Sequence, residues 1–138
     1  MALHILAATV YFALYAMLLV FAFRYLLTGR YMPAHARATG HDWGSLNPGT
    51  QAVVSAMARV VGAGMLTTAV TGGLITLGAA VTGFAWLKYM APVPAIVFCA
   101  PTLHASYVLK KAAAVATPMT PSLIALALSV AGFVLWWK

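Results

Sequence analysis

Apolar positions fall into four long runs, and nearly all of the charge collects in the intervals between them. The first run, Ala2 to Phe23, is long enough to cross ~30 Å of hydrocarbon at ~1.5 Å per residue. Met1 to His4 carries no Lys or Arg, and the run exceeds the ~7 to 15 apolar residues of a signal peptide. It therefore reads as a retained span.

The second run opens on a helix start signal. Asn47 is placed to cap, Pro48 suits the first helical position, and Gln51 to Ala80 continues without proline. One long helix is predicted, its span covering about 52–80. Its opening turns carry Gln51, Ser55 and Arg59 at i, i+4 and i+8, a polar stripe suited to the headgroup zone. Val81 to Ala91 then mixes Gly83, Trp86, Lys88 and Tyr89, the aromatic and basic blend of a membrane interface, and reads as an outer loop.

A third span, about 92–109, ends at Lys110 and Lys111. Pro101 lies inside it and is predicted to bend it, because proline lacks an N–H and crowds the carbonyl of Val97. Thr117, Pro118, Thr120 and Pro121 punctuate the start of a fourth span, about 121–137, closed by the interfacial anchor Trp136, Trp137 and Lys138. The expected fold is an all-α integral membrane protein: four transmembrane helices in one bundle, forming a single domain over 1–138, with the second helix long and the third proline-kinked.

Composition sharpens this picture. The chain is 64% hydrophobic and 7% charged, whereas soluble domains carry roughly a quarter charged residues. Arg24, Arg30, Arg37, Lys110 and Lys111 lie in two intervals that alternate with those holding Lys88 and Lys138. The positive-inside rule then puts both termini outside and loops 24–49 and 110–117 in the cytoplasm, as for a protein of a bacterial inner membrane. The basic excess borders membrane spans, so its expected partner is anionic lipid headgroups on the cytoplasmic side, not nucleic acid.

The sole acidic residue, Asp42, falls in the first inner loop, leaving the spans without a carboxylate. Proton-coupled cation exporters of this size depend on a membrane carboxylate, so that mechanism is disfavoured. Catalysis is disfavoured too: no nucleophile and base pair up, and there is no phosphate-cradling glycine loop. The lone Cys99 sits in an apolar run and reads as a small hydrophobe.

Three groups of residues remain as candidates. Gly64, Thr68, Gly72, Thr76 and Ala80 recur every fourth residue and form a small-residue face for close helix packing, within the chain or between subunits. Ser55, Arg59, Thr102, His104 and Tyr107 share the inner half of the membrane and would make a basic pocket for an anion or a headgroup. The plainer alternative is that Arg59 snorkels to lipid phosphate and His104 bonds a carbonyl freed by Pro101. His35, His41 and Asp42 offer metal donors, but six-residue His spacing fits no compact metal motif, and an interfacial segment with Tyr31, Met32 and Trp43 in the headgroups is preferred.

No cofactor is strongly implied. A haem held by two histidines would need them at one depth, and His4 and His104 belong to opposite ends of their spans. Tyr11 and Tyr15, one turn apart, are expected to pack inward with hydroxyls bonded across helices. The leading functional expectation is a non-catalytic membrane protein acting through helix assembly, as a homo-oligomer or an accessory subunit. An anion or lipid-headgroup transporter and a cofactor- or metal-binding subunit of a membrane enzyme are the rivals.

Overall fold

The computed structural model describes residues 2–30, 33–113 and 119–138, without the side chains of 33–35 and 113. Every regular element among them is helical. The order is α1 (Ala2–Thr28), α2 (Pro33–Thr39), a single 3-10 turn (Trp43–Ser45), α3 (Pro48–Thr82), α4 (Ala85–Met90), α5 (Val93–Ala113) and α6 (Thr120–Trp136).

Three helical stretches are long and apolar enough to cross a membrane: Ala2–Thr28, Pro48–Thr82, and Ala85–Ala112, which joins α4 to α5. The fourth apolar helix, α6, has 17 residues. Outward positions such as Val20, Val70, Leu74, Val97 and Val130 are exposed by half or more, so these helices lack the polar outer stripe of a water-facing helix.

Helix ends follow local chemistry more than the hydrophobic boundary. Helix α1 continues past Phe23 to Thr28, whose hydroxyl donates to the Arg24 carbonyl at 2.6 Å. It stops at Gly29, where φ of +54° suits a residue without a β-carbon. At the start of α3 the Asn47 side chain accepts the Thr50 N–H at 2.8 Å and Pro48 follows it. That helix runs 35 residues, ~50 Å, and ends on Gly83 at φ +71°.

Two segments read as irregular contain helix. Loop 24–49 holds α2 and the 3-10 turn, and the interval 81–91 contains α4. Their polar and aromatic residues mark an interface but do not oppose helical backbone, which is why composition alone hides them. Helix α5 stays helical through Pro101. Tyr31 and Met32, and the interval residues Thr117 and Pro118, lie outside the described residues.

Helix α1 lies along α3 and α6, and α5 in turn touches α3 and α6. The shared interior holds Tyr11, Leu14, Tyr15 and Leu18 from α1, Ala69 and Thr76 from α3, Cys99 from α5, and Ala125 and Ser129 from α6. Small residues on α3 and α6 make room for the two tyrosines. A β-carbon on Gly72 would stand 2.1 Å from the Tyr15 ring, and one on Gly132 would stand 2.8 Å from the Tyr11 ring.

Polar groups in this interior are paired locally or across helices. Thr76 and Ser129 bond back to carbonyls one turn earlier, Gly72 at 2.8 Å and Ala125 at 2.9 Å. The Tyr11 hydroxyl donates to the Ser129 carbonyl of α6 at 3.0 Å, and the Tyr15 hydroxyl donates to the carbonyl of Ala91, where α4 leads into α5. Both tyrosines thus bond across helices, and among the described residues no buried side-chain polar atom lacks a partner.

Candidate functional site

The small-residue face on α3 divides among several neighbours. Gly72 and Thr76 are buried, Gly64 and Thr68 are half-buried, and Ala80 is exposed. The buried positions are instead Gly62, Met65, Ala69, Gly72, Thr76 and Ala79, spaced alternately by three and four. A strict every-fourth series advances ~40° per step, so Ala80 has rotated ~160° from Gly64. Alternating three and four keeps one face toward α1. Gly62 fits against Leu26 and Ala22 of α1, Gly72 against Tyr15 of α1, Gly64 against Phe98 of α5, and Gly78 against Leu87 of α4.

At the end of the molecule where α1 stops and α3 begins, Ser55 and Arg59 meet the α1 terminus. The Ser55 hydroxyl donates to the Gly29 carbonyl at 2.5 Å, and the Arg59 guanidinium lies about 4 Å from where a Gly29 β-carbon would be. That serine satisfies a carbonyl which the end of α1 leaves without a helical partner. The Arg59 residue as a whole is exposed.

His104 and Tyr107 line a different feature, a shallow groove of about 330 Å³ shared with Leu103, Met119 and Leu126. Both residues are exposed, and Lys111 holds its ammonium 4.8 Å from the Tyr107 ring centre, a cation–π contact one turn along α5. Thr102 turns to its own helix and donates to the Phe98 carbonyl at 2.7 Å. Ser55 and Arg59 thus both reach Gly29, while His104 and Tyr107 both line the groove that includes Met119 and Leu126.

His41 and Asp42 are exposed, and the His35 side chain lies outside the described residues. No group of three metal-ligating side chains occurs among the described residues.

A larger feature lies at the opposite end, where α1 begins and α3 and α6 finish. A cavity of about 500 Å³ is walled by Ile5 and Phe12 of α1, Ala80 of α3 and Trp136 of α6, with His4 and Lys88 contributing polar groups. The sequence placed both polar residues at the outer interface but gave no reason to join them. Antiparallel α1 and α3 bring the start of one beside the end of the other, and α4 then carries Lys88 back over the gap.

The chain matches no known protein family, no characterised protein and no solved structure.

Proposed function

We propose that this is a non-catalytic integral membrane protein, a four-helix transmembrane bundle that works by assembling with other membrane subunits or with further copies of itself. Helix α6 completes the bundle: its 17 residues span ~25 Å, and Trp136, Trp137 and Lys138 extend it to the interface. Both termini stand outside a bacterial inner membrane, and the basic loops face anionic lipid inside.

The observation that carries this reading is how α3 is used on its two sides. Its inward glycines are filled by the chain's own Tyr15, Leu26 and Phe98, which fixes the helix as a scaffold. Its outward side presents Val70, Leu74 and Leu77, while a β-carbon on the intervening Gly73 would meet nothing within 4 Å. Assembly then uses this outward side, not the glycine face spent inside the chain.

Photo-crosslinking tests it. A photoreactive residue at Leu74 should yield a polypeptide adduct in native membranes, a doubled mass indicating self-assembly and any other mass an accessory role. The same probe at Val20, on α1, is the comparison. Lipid adducts alone at Leu74, with a monomer in nanodiscs, would overturn the proposal.

A further inference from the structure

We infer that the cavity between the start of α1 and the ends of α3 and α6 binds an amphiphile with an anionic head and an apolar tail. The cavity, about 500 Å³, lies within the ~300–1,000 Å³ usual for small-molecule sites. Its lining combines the cation Lys88 and the imidazole of His4 with apolar Ile5, Ala8, Phe12 and Trp136, and the Thr9 hydroxyl among them is turned to its own helix, donating to the Ile5 carbonyl at 2.9 Å.

Lys88 supplies a fixed positive charge at the rim, and His4 adds ring nitrogens. No acidic side chain is available to the Lys88 ammonium at this end. Asp42 is the only one in the chain, and it precedes α3 whereas Lys88 follows it, so 35 residues of helix, ~50 Å, lie between them. Lys88 is half-buried as a residue and lines the cavity beside apolar walls, so an external anion is a suitable counter-charge for it.

The tail has its own track. Ile5, Ala8 and Phe12 recur at i, i+3 and i+7 and so follow one face of α1 for ~10 Å away from the α1 start. Ile5 and Phe12 are exposed, which leaves the track open to lipid, while Trp136, which also lines the cavity, is buried. An acyl chain fits that track, whereas an inorganic anion would leave it empty. The head is a carboxylate, as in a free fatty acid, or the phosphate of an anionic phospholipid; both offer oxygens to Lys88.

Bromine quenches tryptophan at short range, so Trp136 reports occupancy once Trp43→Phe, Trp86→Phe and Trp137→Phe leave it as the single indole. In phosphatidylcholine nanodiscs, dibromostearic acid should quench at about one-tenth the concentration needed by its uncharged methyl ester, as expected for a charge-assisted contact. Brominated phosphatidylglycerol against brominated phosphatidylcholine tests the phospholipid head in the same way. Preference for either anionic probe supports the site and identifies its source.

Lys88→Gln should abolish that preference, Lys88→Arg should retain it, and Ala80→Phe, a change at an exposed wall position, should suppress quenching by every probe. Thermal midpoints establish that each variant is folded, and Ala80→Phe gives an answer even if Lys88→Gln is not. Equal quenching by charged and uncharged probes in the parent protein, or a preference that survives Lys88→Gln, overturns the inference.

Discussion

The ring of Tyr15 occupies the space that a side chain on Gly72 would need: a β-carbon there would lie 2.1 Å from two ring carbons. The contact joins α1 to α3 at a point where the tyrosine is 3% exposed and its hydroxyl is tied to the Ala91 carbonyl, so the ring cannot simply swing away. Lipid gives helices no hydrophobic reason to associate, and close contact of this kind has to hold them.

Gly72→Leu is therefore expected to separate α1 from α3. Overpacking costs ~1 to 3 kcal/mol in well-packed interiors, and the loss here should reach or exceed the upper end because backbone faces ring. Gly73→Ala, one residue on, meets open space and should be neutral or slightly stabilising through helix propensity. Thermal midpoints in mild detergent measure both. A Gly72→Leu midpoint equal to that of Gly73→Ala would mean that the two helices are not in contact there.

Tyr11 makes the matching contact with α6. Its ring sits against Gly132 and stacks obliquely on Trp136 with centroids 4.9 Å apart, while its hydroxyl reaches the Ser129 carbonyl. Tyr11→Phe keeps the ring and removes one hydrogen bond, so a loss of ~0.5 to 1.5 kcal/mol is expected. Tyr11→Ala removes the packing as well and should cost ~3 to 5 kcal/mol. Should the two substitutions cost the same in chemical denaturation, the ring would contribute nothing to holding α1 on α6.

Much of this architecture could be read from the sequence because its causes are local. Four apolar runs, the Asn47–Pro48 start and the Trp136–Trp137–Lys138 close each announce an element without reference to the rest of the chain. The buried face of α3 was harder. A four-residue repeat of small residues is conspicuous, yet it precesses around a helix of 3.6 residues per turn, and the face that packs includes Met65, which no small-residue pattern singles out. Surroundings are harder to read for a related reason. Depth along a span can be counted, but it does not fix which side of a helix a residue occupies; the packed arrangement sets Arg59 beside Gly29, His104 in a groove with Met119 and Leu126, and His4 in one cavity with Lys88.

Topology gives a prediction independent of packing. The excess of Arg and Lys around Arg24–Arg37 and Lys110–Lys111 over Lys88 and Lys138 should hold those intervals in the cytoplasm. A cysteine at the exposed Gly40 should resist an impermeant maleimide applied to intact cells, while one placed after Lys138 reacts, both in a Cys99→Ser background. Labelling at Gly40 with protection after Lys138 would reverse the assigned orientation.

Arg59 and His104 have different immediate neighbours. Arg59 stands over Gly29, where α1 ends and Ser55 already satisfies the carbonyl, and its charge needs only water or lipid phosphate. Lysine reaches the same phosphates, so Arg59→Lys should stay within ~0.5 kcal/mol of the parent in stability. His104 lies in the α5–α6 groove beside Tyr107. With no shared ligand, Arg59→Gln and His104→Gln should add, their coupling energy remaining below ~0.5 kcal/mol. A double-mutant cycle on thermal midpoints, run with and without added phosphatidylglycerol, measures that coupling directly. If one bound headgroup bridged the two residues, the lipid would stabilise the parent and either single variant would lose most of the effect, so that the second substitution would cost little more. A coupling above ~1 kcal/mol that appears only with the anionic lipid would restore a joint inner pocket and place a ligand between α3 and α5.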